Sequence, residues 1–319
     1  MKIPETMRAV AMDRYGPPSV LSLRSLPVPV PSATEVLIAV HTAGVGGWDA
    51  SMRKGPSESE ERFPKILGTD GSGTIVAIGS RVKRLNIGDR VFGYIYDNPK
   101  GGFYAQYVAI PAVNVAPLPE GYDLRESGAA AVTSLTALQG VDDALELKRG
   151  ESILIHGASG AVGHLALQFA KARGARVLAT ASGRDGVAFV RPLGADLVID
   201  GKRDDIEAVA RAFAPDGIDA VLAFVGGPSL TRCLSTLRRG GRAAHPNGIS
   251  PVPRERRGLT ITAYDAEPGI RELQRLDRAW RACGLQIPIA KTYELANARR
   301  AHERLAKGHI LGKVVLAVT

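Results

Sequence analysis

The sequence predicts an α/β protein in which a β-rich first third precedes a doubly wound parallel-sheet domain and a mixed terminal segment. Three observations carry that prediction. Short apolar stretches broken by glycines fill residues 1–120. Residues 121–265 instead alternate apolar strands with helical runs, and strands separated by helices of ~10–15 residues are the pattern of parallel βαβ units. Within that stretch, 152–163 (SILIHGASGAVG) joins a strand to a helix through three glycines.

In the first third, 7–13 (MRAVAMD) and 36–43 (VLIAVHTA) read as strands. Residues 44–49 (GVGGWD) read as a glycine-rich turn, and 66–79 (ILGTDGSGTIVAIG) as a glycine-interrupted strand. Gly88-Asp89 turns the chain into a strand over 90–94, and 102–110 supplies another. Helical pattern begins at Ser134. Strands follow at 152–156, 176–180, 195–200, 218–224 and 240–244, with helices over 161–173, 185–191, 207–213 and 230–237. Beyond 265 come helices over 270–283 and 295–307 and a last strand at 312–318, placed to rejoin the first domain. That return would make the middle domain an insertion, with segments 1–120, 121–265 and 266–319.

Composition narrows the function classes. At 319 residues and ~150 per domain, about two domains are expected. An apolar content of 45% supports packed cores and argues against global disorder. Two cysteines, Cys233 and Cys283, supply neither a disulfide framework nor a four-sulfur metal site. The opening residues lack a signal-peptide core and no run of ~18 apolar residues occurs, so a cytoplasmic location without membrane insertion is expected. The net charge of +9 suits a phosphorylated ligand or a hydrated surface. Nucleic-acid binding is not expected: Arg254-Glu255-Arg256-Arg257 and Arg238, Arg239 and Arg242 have no interleaved aromatics and read as solvated.

The turn at Gly157, Gly160 and Gly163 carries the clearest chemistry. Small residues let backbone approach a pyrophosphate, whose charge meets free amides at a helix N-terminus. Ser159, Gly160, Ala161, Val162 and Gly163 are the candidate contacts, although Ala158 stands where the usual motif has its first glycine. About 20 residues on, an NAD site usually carries Asp or Glu for the ribose hydroxyls. Here the chain reads Thr180-Ala181-Ser182-Gly183-Arg184. Ser182 can donate a hydrogen bond and Arg184 can pair with a 2′-phosphate, so NADP is favoured over NAD. Asp185 opposes that reading by offering a carboxylate, and Lys202 or Arg203 is a competing source of positive charge. Val225 and Asn247 follow strand ends where α/β ligands sit and are candidates to frame a nicotinamide.

Several separated motifs together resemble the medium-chain dehydrogenase/reductase superfamily, in its zinc-free quinone oxidoreductase and enoyl reductase branch. They are VHTAGVGGWD from Val40, PKILGTDGSG from Pro64, VKRLNIGDRVFG from Val82, GGFYAQYV from Gly101, LTAL from Leu135, HGASGAVG from His156 and LAKGHILGKVVL near the end. The resemblance implies a GroES-like β-rich catalytic domain, a Rossmann domain inserted in it, and an active site in the cleft between them. It also implies a homodimer paired through the strand at 259–264 (LTITAY). In the zinc branch a ligand would fall at Gly46 and a His-Glu pair at Thr69-Asp70. Neither place keeps that set, and His41, His156 and His164 do not restore it, so no metal is expected.

Without a Lewis acid, the implied reaction is hydride transfer from NADPH to a quinone or an α,β-unsaturated carbonyl, which already stabilises negative charge. The implied catalytic residues are Tyr94, Asp49 and Trp48: Tyr94 (or neighbouring Tyr96) as a hydroxyl donor, Asp49 as an organiser of its turn, and Trp48 as an apolar wall. Thr136 and Lys313 are implied as cofactor contacts, with Lys313 steadying cofactor or domain closure. The competing class is an NADPH-binding regulatory, structural or RNA-associated protein with little catalysis.

Overall fold

A computed structural model describes residues 2–55, 62–254 and 258–319. Its centre is a six-stranded parallel sheet whose strands, in spatial order, are Leu197–Asp200, Arg176–Ala181, Ser152–His156, Ile218–Ala223, Leu237–Pro246 and Thr260–Tyr264. This is the Rossmann order, with the first strand in chain sequence at the centre and a switch point beside it. Ser152–His156 is buried throughout, as a central strand covered on both faces must be. Sequence pattern located the first five of these strands in chain order, and the resemblance pointed to the sixth, Thr260–Tyr264.

The second sheet is mainly antiparallel. Glu35–Val45 is its hub, pairing with Asp70–Ile78, Tyr107–Pro111 and Lys313–Ala317. Lys313–Ala317 also carries the parallel strand Ile289–Glu294. The last strand therefore does rejoin the β-rich sheet, as its position in the sequence suggested. A small sheet of Ser22–Pro27, Thr6–Met12 and Lys65–Ile66 lies alongside.

Four local expectations are corrected. Helix formation starts at Leu124, ten residues before Ser134, because Asp123 and Glu126 form a reciprocal capping box there. Its buried run from Ser127 to Gln139 erases the amphipathic period by which such a helix is recognised. The supposed turn at 44–49 is the end of one strand followed directly by helix Gly47–Lys54. Of 102–110, only Tyr107–Pro111 is strand. Helix Ile270–Cys283 does not leave the Rossmann half: Leu273, Leu276 and Trp280 pack into the same core as Leu165 and Phe169, and Trp280 stacks on Phe92 of the other sheet. Arg254 is described, but Glu255, Arg256 and Arg257 of the basic run lie outside the described residues.

Candidate active site

The candidate cofactor-binding stretch, residues 157–163, is built almost wholly from backbone and small side chains. Strand Ser152–His156 ends at Gly157, which turns with φ +87°, a left-handed conformation that favours glycine. The helix then opens at Gly163, two residues later than sequence placed it. A Cβ on Gly163 would lie 2.3 Å from the Gly157 carbonyl oxygen and 2.8 Å from Ala158 Cα, so only glycine fits. Among the described residues, nothing accepts a hydrogen bond from the amides of Ala161 or Val162. Small residues, a close backbone approach and unspent donors at a helix start together suit a pyrophosphate.

Around that turn the sequence candidates separate. Ser159 and Gly160 lie within it, and the Ser159 carbonyl accepts from Gly312 N–H at 3.3 Å, strapping the C-terminal segment to the turn. Ser182 precedes the next helix, Gly183–Val190, and makes no side-chain cap bond. Arg184 is exposed in the first turn of that helix, with no side-chain hydrogen bond or ion pair among the described residues. Asp185, the residue that argued against a 2′-phosphate, is instead held by His309, whose Nε2 lies 2.7 Å from its carboxylate. That contact holds the Asp185 pKa below the ordinary carboxylate range. Val225 packs over Gly157 and stays half exposed. Asn247 is exposed, with its side-chain amide donating to Asp265 at 2.7 Å. The Thr136 hydroxyl donates back to the Val132 carbonyl at 2.8 Å, leaving only lone pairs for any ligand.

On the other wall, Asp49 sits at the third position of helix Gly47–Lys54 and is wholly buried. One oxygen accepts from Gly46 N–H at 2.8 Å; the other accepts from Thr69 N–H at 3.1 Å and Thr69 Oγ1 at 2.9 Å. Burial pushes its pKa up to about 6, reinforced by the nearby Asp70 charge and opposed by those hydrogen bonds. With both oxygens accepting hydrogen bonds, this carboxyl ties Gly46 to Thr69. Trp48 is half-buried and touches both main apolar cores, which puts its ring at their junction.

The chain aligns over 97% of its length with 97% of the quinone oxidoreductases of Lama guanicoe (33% identical) and Homo sapiens (31% identical). Its residues 32–120 match the alcohol dehydrogenase GroES-like domain and residues 193–316 match the zinc-binding dehydrogenase family. The chain belongs to the medium-chain dehydrogenase/reductase superfamily, in its quinone oxidoreductase-like branch. Among solved structures, the Coxiella burnetii quinone oxidoreductase superposes with a TM-score of 0.88 at 31% identity, covering 98% of this chain and all of the other. The Escherichia coli quinone oxidoreductase complexed with NADPH gives 0.87 at 26% identity, with the same coverage.

Two sequence assignments need correcting within this superfamily frame. Tyr94 is buried, and its hydroxyl donates to the Ala266 carbonyl at 3.1 Å, fastening the crossing between the halves. Burial pushes its pKa up, so its proton stays put. Tyr96 is the exposed tyrosine, with a hydroxyl that has no hydrogen bond among the described residues. Lys313, expected to steady cofactor or domain closure, lies in the interior. It is only 1% exposed and reaches beneath the cleft to Asp70, Nζ to Oδ2 3.6 Å, with the Trp48 ring centroid 4.7 Å away. Sequence reasoning flagged Asp70 only as a vacated metal position; its one available signal was a carboxylate heading an apolar strand. His309 gave no signal at all.

Proposed function

We propose that the chain is an NADPH-dependent oxidoreductase that reduces quinones or activated alkenes by direct hydride transfer without zinc. The observation that carries this reading is the turn at 157–163, with its unspent amides and glycine-only contact, set beside an unpaired Arg184. The relatives' names and the NADPH-complexed neighbour support it. The cofactor supplies a hydride at its nicotinamide carbon. The amides of Ala161 and Val162 neutralise the pyrophosphate, and Arg184 takes the 2′-phosphate with a charge-assisted hydrogen bond. The Asp185 carboxylate, which would oppose this phosphate, is hydrogen-bonded to His309 Nε2 at 2.7 Å and so turned toward the C-terminal segment. Ser182, Val225, Asn247 and Thr136 line the same path in lesser roles.

On the substrate wall, Trp48 excludes water and Tyr96 Oη donates toward the oxygen on which negative charge develops. Burial and the charges of Asp97 and Asp265 raise the Tyr96 pKa, which keeps that proton in place until it is needed. Zinc independence is supported by ligand chemistry: Gly46 has no side-chain donor and Thr69 replaces an imidazole. No group of three or more His, Cys, Asp or Glu able to hold a metal occurs among the described residues. Thr260–Tyr264 ends the parallel sheet and is the strand through which we propose that two copies pair. No helix among the described residues is long and apolar enough to cross a membrane.

Fluorescence titration with NADPH and NADH, followed by turnover with benzoquinone and an enone after dialysis against chelator, tests the proposal. Tight NADPH binding with chelator-resistant turnover is expected. Binding without turnover of either acceptor would overturn the enzymatic reading and favour a regulatory NADPH binder. Arg184→Ala should weaken NADPH binding about tenfold or more and leave NADH within about twofold, as loss of a charged hydrogen bond predicts. An unchanged NADPH preference would remove Arg184 from the site.

A further inference from the structure

Beneath the cleft lies a buried charge that the proposed chemistry does not use. Lys313 Nζ, Asp70 Oδ1 and Trp48 Nε1 are all buried without a hydrogen-bond partner among the described residues. The 3.6 Å between Lys313 and Asp70 is an ion-pair distance but too long for a hydrogen bond. The ammonium is therefore fixed by charge: a carboxylate on one side and the face of an indole on the other.

Two glycines make that stack possible. A Cβ on Gly44 would lie 2.2 Å from Asp70 Oδ1 and 3.1 Å from Lys313 Cε, while a Cβ on Gly46 would lie 2.2 Å from the Trp48 ring. Positions two apart on extended chain share a face, so the two bare Cα atoms open one continuous slot. The slot holds carboxylate, ammonium and indole in sequence. Beside Gly47, the residue that precedes the indole, there is open space: a Cβ there would meet nothing within 4 Å.

We propose that Lys313 is a positioning residue: paired with Asp70, its ammonium holds the Trp48 ring at the cleft and so sets how deep a substrate ring can enter. A ring seated against Gly46 leaves the Gly47 side open, whereas a released indole swings into that space and shortens the pocket. Lys313 touches neither cofactor nor substrate and acts through Trp48. The link to pocket depth rests on the function proposed above; the placement of the ring does not.

The test uses the full chain labelled with 5-fluorotryptophan. With only two tryptophans, 19F spectra give two resonances, assigned by Trp48→Phe. Lys313→Met keeps length and apolar stem but removes the charge. It should shift and broaden the Trp48 resonance while that of Trp280 stays in place. It should also raise KM for a bulky naphthoquinone about three- to tenfold with kcat within about twofold, and Lys313→Arg should restore both. If removal of Lys313 alone prevents folding, Lys313→Met with Asp70→Asn removes both charges and carries the same readout. An unmoved Trp48 resonance in either folded variant overturns the proposal, as does a moved resonance with unchanged KM for every quinone turned over. A moved, Arg-rescued resonance in a protein that turns over no quinone or enone sustains the placement of the ring and defeats the proposed activity instead.

Discussion

The stretch proposed to hold the cofactor, the first wall, and the cluster proposed to face the substrate, the second, are built on opposite plans. The first is seven consecutive residues, 157–163, in which side chains are mostly small and the amides of Ala161 and Val162 have no acceptor among the described residues. The second gathers Gly44 to Asp49, Thr69, Asp70 and Lys313 from three distant stretches around buried charges. Backbone donors carry no desolvation debt beyond their own amides, so the first wall depends on fit. Buried carboxylates and an ammonium each lose hydration, so the second depends on pairing. Changes in fit should therefore act sharply and locally on the first wall, while changes in charge should act on the second in a pH-dependent way.

The largest effect is expected where fit is tightest. In Gly163→Val the new Cβ meets backbone atoms at 2.3 and 2.8 Å, which no rotamer change relieves. The cost should exceed the ~1–3 kcal/mol usual for overpacking, and NADPH affinity should fall at least about a hundredfold. Gly160→Ala is the contrast, because its Cβ would meet only the Gly157 carbonyl at 3.5 Å, an ordinary contact. Its melting temperature should match wild type. Equal melting temperatures for both variants would break the claim that the turn works by backbone approach.

How much of each wall could be read in the sequence follows from the same difference. The turn at 157–163 is local, so its strand, three glycines and helix are contiguous signals, and the first five Rossmann strands were read by the same local pattern, whereas Thr260–Tyr264 was pointed to by the resemblance. The substrate wall depends on Lys313, whose neighbours Asp70 and Trp48 lie more than 240 positions away, and no pattern in a linear chain announces such a contact. The helix Leu124–Gln139 was half missed for a related reason: buried on nearly every side, it has no polar face to give it a period. Tyr94 and Tyr96 are two residues apart in sequence and only their surroundings in the fold tell them apart.

A smaller effect is expected from charge on the substrate wall. Asp49 has a folded pKa pushed up to about 6 against an ordinary value of 3.8. A raised carboxyl pKa means that the folded state holds the proton more tightly than the unfolded chain. Its contribution to stability is therefore present below pH ~4 and is lost as pH rises through about 6, up to about 3 kcal/mol in all. Asp49→Asn has no proton to release. In urea unfolding at pH 4, 5, 6 and 7, the stability of wild type minus that of Asp49→Asn should fall across this range. Parallel curves would mean that Asp49 is no harder to ionise in the fold than out of it.

The smallest effect separates the two tyrosines, and so sharpens where the substrate wall begins. Tyr94→Phe deletes one hydrogen bond, to the Ala266 carbonyl, from a ring that stays buried in the core it shares with Phe92, Ala129 and Leu273. The loss should be about 1 kcal/mol of stability, with kcat held within about twofold. Tyr96→Phe removes a hydroxyl that has no partner among the described residues, so stability should stay within about 0.5 kcal/mol. Its kcat should nonetheless fall about tenfold or more if that hydroxyl supplies a hydrogen bond to the developing oxyanion. The opposite assignment, kcat lost with Tyr94 and kept with Tyr96, would move the proton-donating edge of the cleft from the exposed tyrosine to the crossing at Ala266, and the buried hydroxyl would then have to exchange its carbonyl partner for substrate during turnover.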